Sequence, residues 1–361
     1  MKFWVQEKLS GGDASRALSD KELARAAKEI DGARGKHYEY MSETVLGGGE
    51  NSRISRVLVK VDKDRTLSVI VKRRPESEGA RRVAAIQRWY EREIFFYRKL
   101  AQKLKVPRCG YARYSHMTGN FLLVLEDCAA QSSSQRTEGE WNFEEAALLA
   151  MARLHDLQVE DRGPLPFTPV HLTLAPAIES YFRSAWKKAV KTTYDLEPHV
   201  VSLLDHLAQE GVYAKLCGKL AEGPLVLVHG DFRPENMFFD ANSGEIVVYD
   251  WQFLSLAKGA YDYAYFLGLM DTELRRTRES DFRQLYTQHR RNNFKDRENN
   301  NFFGDDLQVS VLLALASFVM GAATANDHDT HHRSIHRLAT AAIDWHADKK
   351  ITALMGPVGG K

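Results

Sequence analysis

The stretch from Leu225 to Gln252, LVLVHGDFRPENMFFDANSGEIVVYDWQ, most constrains what this chain can fold into. Leu225 to Val228 and Glu245 to Tyr249 have the length and β-branched content of buried strands. Met237 to Phe239 is a third short run, and the turn residues Asp240, Asn242, Ser243 and Gly244 after it predict a hairpin. A hairpin symmetric about Ser243 sets Asn236 opposite Asp250 at its open end. Cross-strand Cβ atoms lie about 5 Å apart, so an amide oxygen and a carboxylate there can share a cation. Asp231 lies five residues before Asn236, in the loop where the first strand ends. One carboxylate to orient a hydroxyl, with an Asn/Asp pair to hold magnesium on phosphates, is the set that phosphoryl transfer needs. The plain alternative is a buried hairpin with polar ends. The run H-G-D-x-x-x-x-N, followed fourteen residues later by an Asp closing a strand, is more specific than that.

These residues resemble the phosphotransferase families built on the protein-kinase-like fold: aminoglycoside phosphotransferases, choline kinases and, closest, the ecdysteroid-kinase-like (CHK kinase-like) group. His229-Gly230-Asp231, with Gly in the middle, and Asp250-Trp251-Gln252 resemble the small-molecule kinases. Arg233-Pro234-Glu235-Asn236 resembles the protein-kinase run Lys-Pro-Glu-Asn. The resemblance implies an α+β, two-lobed protein-kinase-like fold. A small antiparallel-sheet N-lobe with one main helix would precede a larger, mainly helical C-lobe. It also implies ATP and Mg²⁺ as cofactors, Asp231 as the catalytic carboxylate, and Asn236 and Asp250 as metal ligands. Arg233 would reach a transferring phosphate, the alternative being a solvated loop arginine.

Upstream, Thr44 to Leu46 leads into Gly47-Gly48-Gly49-Glu50-Asn51-Ser52, and Ile54 to Val61 alternates like a strand. Three glycines between strands let backbone amides approach phosphate oxygens without interference from Cβ. No Gly-Lys-Ser/Thr follows, so this is not a Walker A loop. The strand Leu67 to Val71 delivers Lys72, which resembles the phosphate-pairing lysine of the kinase fold. Ala84 to Leu104 reads as a helix. On it, Glu93 opens an E-x-x-F-Y run like that of the CHK group and would hold Lys72, with Glu91 as the alternative. Phe121 to Leu125 is a strand entering Glu126, where the backbone of a kinase-like connection would meet an adenine edge. The expected division is a helical extension over 1–35 (Ser19 and Glu22 form a capping box), a nucleotide-binding N-lobe over 36–127, and a C-lobe over 128–361 with the catalytic loop and substrate site.

A formal net charge of +2 gives no overall field for nucleic acid or membrane. Three scattered cysteines suit a reduced, cytoplasmic chain. The first residues have no secretory apolar core, and no run approaches membrane-spanning length. In the C-lobe, Tyr181 to Val190 and Val200 to Leu220 read as helices, His155 as a structural histidine, and Asp262 as a brace for the catalytic loop by resemblance. Arg275 to Asn301 reads as a solvated polar segment, or else a rim attracting an anion. His328, His331, His332 and His336 read as helix-face histidines, with a metal site as the alternative. Leu269, Met270, Phe282, Leu285, Tyr286, Phe302 and Phe303 either line an apolar pocket or pack helices. The expectation is a kinase moving the γ-phosphate of ATP to a hydroxyl of a small, neutral or anionic, partly apolar molecule. A protein kinase and a catalytically silent nucleotide-binding scaffold are the other readings.

Overall fold

The computed structural model describes residues 18–33, 35–49, 52–63, 65–130, 141–157, 165, 172–290, 301–324 and 327–355. The chain divides into two compact units, one over 1–102 and 106–133, the other over 103–105 and 134–361. This is the two-lobed α+β protein-kinase-like fold.

The first unit is built on a five-stranded antiparallel sheet in the order β1-β2-β3-β5-β4. Its elements are α1 (Asp20–Asp31), β1 (Tyr38–Gly49), β2 (Ser52–Val61), β3 (Arg65–Arg73), α2 (Glu78–Ile86), α3 (Trp89–Lys99), β4 (Cys109–Tyr114) and β5 (Phe121–Glu126). The expected capping box is present, with Glu22 N–H donating to Ser19 Oγ at 3.3 Å and Ser19 N–H to Glu22 Oε2 at 3.0 Å. Leu23, Ala26, Ala27 and Ile30 recur at helical spacing, so α1 buries one stripe against Val57, Val59, Val69 and Val124 of the sheet. Gly110 makes that seat possible, since a Cβ on it would lie 2.2 Å from the Ala26 carbonyl oxygen. The helix therefore contributes to this unit's core. The helix expected over 84–104 is two, because Arg88 adopts a left-handed conformation (φ 58°) that ends the first and turns the chain into the second.

The second unit holds α4 (Trp141–His155), α5 (Ala175–Ala185) with a wider π turn over Trp186–Val190, α6 (Pro198–Leu207) and α7 (Val212–Leu220). Gly211 (φ 79°) breaks the helix expected over 200–220 into the last two. Then come β6 (Val226–Val228), the hairpin β7 (Met237–Asp240) and β8 (Glu245–Val248), and β9 (Ser255–Ala257), which pairs with β6. Helices α8 (Ala260–Leu269), α9 (Thr272–His289), α10 (Leu307–Ala322), α11 (His328–Asp344) and α12 (Ala347–Met355) complete it. Helix α10 carries no charged residue, and most of its side chains are buried against α5, α7, α8 and α11.

Phe302–Ala322, 21 residues of mean hydropathy 1.5, is long and apolar enough to cross a membrane by length and composition. This corrects the expectation that no run approaches that length. Asp305 and Asp306 interrupt the run as read in sequence, and non-helical backbone at Gly304 (φ −110°, ψ −110°) kinks the segment ahead of the 16-residue helix Leu307–Ala322. Within the fold, 67% of that window is buried, as in the core helix of a globular unit.

The aromatic residues after Met270 pack helices instead of lining a pocket. Phe282, Tyr286 and Phe302 are buried, Tyr286 stacks on Phe302, and Tyr263 and Phe303 meet these rings tilted or edge-on.

Candidate active site

In the first unit, β3 runs antiparallel between β2 and β5, which places Lys72 opposite Ile54 and Leu123. Its ammonium lies 3.0 and 2.9 Å from the two carboxylate oxygens of Glu93 on α3. Lys72 is 5% and Glu93 1% exposed, so the pair is held out of water. Glu91 is committed elsewhere, to Arg88 and to His116 at 2.9 Å, so the sequence alternative falls. Removing one partner of a buried pair strands the other charge. A double-mutant cycle of Lys72→Met and Glu93→Gln, read by urea unfolding, should therefore give a coupling above the ~1 kcal/mol of an exposed pair. A coupling near zero would mean the two side chains act separately.

The glycines are not the turn itself. Gly47, Gly48 and Gly49 are the last residues of β1, in register with Ile54, Arg53 and Ser52. Ser52 is buried at the start of β2, while Asn51 lies outside the described residues. Glu126 is also more committed than expected. Its carboxylate forks with Arg108 at 2.9 and 3.1 Å, and its N–H donates to the Arg108 carbonyl at 2.8 Å. Its side chain and amide are thus already engaged at the end of β5.

In the second unit, the chain leaves β6 through His229 and Gly230. Gly230 has φ 85°, and a Cβ on it would lie 2.5 Å from the Phe253 carbonyl oxygen, so only glycine fits. Asp262, fully buried on α8, accepts the N–H of His229 at 2.7 Å and of Gly230 at 2.9 Å. This is the brace that the sequence suggested. The loop then presents Asp231. Asn236 Nδ2 donates to the carboxylate and the carbonyl of Asp231 at 2.8 and 2.9 Å. Arg233 Nε lies 3.4 Å from Asp231 Oδ1. Burial works against the charge of Arg233, but the negative field of Asp231, with Tyr265, Glu235 and Asp250, outweighs it and holds the guanidinium above its ordinary value.

The hairpin register differs by one residue from the expected symmetry. Asp240 pairs with Glu245 and Met237 with Val248, so Asn236 stands opposite Tyr249, whose N–H donates to the Asn236 carbonyl at 3.0 Å. The four-residue connection 241–244 sets this even count. Asp250 lies one step beyond in a left-handed conformation (φ 65°), which redirects a side chain that a continued strand would alternate away. Gln252 Nε2 lies 3.4 Å from its carboxylate.

His155 at the end of α4 is structural, as expected. Its ring nitrogens meet Tyr286 Oη at 2.7 Å and Asp262 Oδ2 at 3.2 Å, fully out of water. Burial lowers its pKa below the ordinary 6.5, although Asp262 pulls it the other way. Below that value the unfolded chain takes up a proton that the folded chain resists, so stability is intact above it and falls as pH drops. The urea midpoint should decline between about pH 7 and about pH 5, and His155→Gln should flatten that decline. Parallel curves would remove His155 from this role.

Of the arginines of 275–290, Arg275, Arg276, Arg278 and Arg290 pair with carboxylates, and Arg283 is exposed with its guanidinium 4.1 Å from the centre of the Phe303 ring. Arg275 is buried against Asp344 and Glu279, Arg276 pairs with Asp344, and Arg290 pairs with Asp156 at 2.8 Å. Arg291 and the asparagine run, apart from Asn301, lie outside the described residues. The histidines of α11 bond separately: His328 to Tyr194 Oη, His332 to the Asp195 carbonyl, His331 to the Asp327 carbonyl and His336 to Glu197. Among the described residues, no group of three or more His, Cys, Asp or Glu side chains could hold a metal ion.

A buried lysine–glutamate pair beneath an antiparallel sheet, and a braced His-Gly-Asp loop ahead of an Asn and an Asp on a hairpin, define a kinase-like phosphotransferase. A sequence profile of the phosphotransferase enzyme family matches residues 44–296, more than half of the chain, and the chain belongs to that family. It is accordingly an ATP-dependent phosphotransferase with an alcohol group as acceptor. Comparison with functionally curated proteins gives no match. Among solved structures, an ethanolamine kinase of Plasmodium vivax is similar at TM-score 0.50 and 14% identity, over 88% of this chain and 85% of that one. An aminoglycoside phosphotransferase solved with ADP and hygromycin B aligns over 91% and 98% at TM-score 0.49 and 14% identity. A type I macrolide 2'-phosphotransferase aligns over 91% and 98% at TM-score 0.49 and 13% identity.

Proposed function

We propose that this protein transfers the γ-phosphoryl group of ATP to a hydroxyl of a small, neutral or anionic, partly apolar molecule, as a CHK kinase-like member of its family. The observation that carries the reading is the catalytic loop. Asp262 fixes its backbone, and Asn236 and Arg233 fix the carboxylate of Asp231. Asp231 orients the acceptor hydroxyl and takes its proton as the phosphorus–oxygen bond forms. Lys72, steadied by Glu93, anchors nucleotide phosphates, and the glycines ending β1 allow backbone amides to approach them. The oxygen donors of Asn236 and Asp250 suit Mg²⁺, which when bound neutralises phosphate charge. The subgroup rests on Glu93-Ile-Phe-Phe-Tyr97 along α3, whose Glu93, Phe96 and Tyr97 are buried.

The experiment is ATP consumption across a set of small alcohols with and without Mg²⁺, in the wild type and in Asp250→Ala. The wild type should turn over with at least one alcohol and require Mg²⁺, and the variant should lose the Mg²⁺ response. An unchanged metal response in Asp250→Ala would place the cation elsewhere. No turnover with any alcohol while ATP binds would favour the silent scaffold.

A further inference from the structure

Beside the catalytic loop, the second unit has a cavity of about 210 Å³ that Arg233 touches, alone of the expected catalytic, nucleotide-binding and metal-binding residues, together with Leu269 and Met270 of the expected apolar set. One wall is Arg233-Pro234-Glu235, and the facing wall is the first half of α11. Thr330, Arg333, Ser334 and Arg337 line that half, and their spacing of three and four residues sets all of them on one helix face. Phe266, Met270 and Phe318 give the cavity an apolar side. Three arginines face it against one carboxylate, Glu235, whose side chain is 61% exposed.

The three arginines are held in different ways. Arg337 donates to the Leu269 carbonyl at 3.0 Å and lies 3.8 Å from Asp271. Arg233 lies against Asp231, with its guanidinium 5.7 Å from the centre of the Phe318 ring. Among the described residues Arg333 makes one side-chain hydrogen bond, to Thr330 Oγ1 at 3.4 Å, and no ion pair. The Arg233 Nε atom is buried with no hydrogen-bond partner among the described residues, beyond its looser approach to carboxylates. Such a group is costly to leave unmet. Guanidinium donors match the oxygens of a carboxylate or phosphate.

We propose that this cavity binds the acceptor alcohol by an anionic head group, a carboxylate or a phosphate, held between Arg333, Arg337 and Arg233 over an apolar stem. The inference deepens the phosphotransferase reading and rests on it. The volume is below the roughly 300–1,000 Å³ of pockets for drug-sized ligands, so the acceptor is small. A choline-like or polyamine acceptor would meet like charge here. Another recess, between α4 and the β7–β8 hairpin, holds about 30 Å³, room for little more than water.

The test uses four probes of one chain length: hydroxyhexanoate, hydroxyhexyl phosphate, hexanediol and aminohexanol. Calorimetry on the full chain should show one or both anionic probes binding at least about tenfold more tightly than the other two. The ratio between the two anions tells carboxylate from phosphate. Arg333→Ala should weaken the anionic probe roughly 10- to 100-fold, the range for a lost charge-assisted contact. Arg333→Lys should recover part of it, and ATP affinity should stay as in the wild type. Equal binding of all four probes, binding of none, or no effect of Arg333→Ala would overturn the proposal. Turnover readouts separate the two readings. ATP consumption that favours aminohexanol or hexanediol would keep the kinase and discard the anion pocket. Anion binding at Arg333 without turnover of any alcohol would keep the pocket and discard the kinase.

Discussion

Asp231→Asn is expected to lower turnover roughly 10²- to 10⁴-fold, the usual range for loss of a general base. The substitution is nearly isosteric, and an amide oxygen at this position can still accept from Asn236 Nδ2, which donates to Asp231 Oδ2 at 2.8 Å in the wild type. What disappears is the proton acceptor and the negative charge beside Arg233. Folding should change little, because the contact with Arg233 is long, at 3.4 Å, and the asparagine keeps the hydrogen bond from Asn236. Nucleotide affinity should also hold. The check is a pair of measurements on one preparation, steady-state turnover and the urea midpoint. A variant retaining most of its activity would take Asp231 out of the proton-transfer role.

Asp262→Ala should cost the second unit about 3–5 kcal/mol, the scale for deleting one member of a buried polar network. The carboxylate serves three donors at once: the amides of His229 and Gly230, and the His155 ring. Deleting it leaves the buried N–H of His229 and the partly buried N–H of Gly230 unmet, the former a loss of roughly 1–3 kcal/mol, and the loop that carries Asp231 loses its anchor. Asp262→Asn should be milder, since its amide keeps one acceptor oxygen. Turnover should fall in both variants in the order of the stability loss. Denaturant unfolding followed through Trp251, buried in a single turn just after the hairpin, measures the stability order. An alanine variant with the wild-type midpoint would show that the loop is held by other contacts.

The parts of the site legible in the sequence were those fixed by short-range spacing. Lys72 ends an apolar strand and Glu93 lies on a buried stripe, so a carboxylate there had to meet a cation. Their 2.9 Å contact follows from that requirement. His229 to Asn236 is one local loop, and its braces followed from the resemblance. What sequence could not give was geometry that depends on one residue more or less. The hairpin closes through four residues, so Asn236 faces Tyr249, and Asp250 takes a left-handed backbone that no propensity announces. Long-range sorting was equally hidden. The start of α9 read as a solvated polar segment, yet Arg275 is buried against Asp344 and Glu279, 69 and 4 residues away, and Arg276 shares Asp344. The cavity-lining pair, exposed Arg333 with half-buried Arg337, was masked by the histidines around it. The i,i+4 pairing of Thr330 with Ser334 and of Arg333 with Arg337 was the signal that could have found them.

Helix α10 lies late in the chain yet packs on α5, α7 and α8, elements up to about 130 residues earlier. During synthesis those helices leave the ribosome well before the surface that covers them exists. Their inward faces must wait uncovered, and the partner that finally arrives is itself an uncharged, strongly apolar segment. Contacts of such long separation close slowly and expose sticky surface while they do. The second unit is therefore the part of this protein whose yield in a cell depends on how quickly translation finishes and on chaperones that shield apolar helices in the interval.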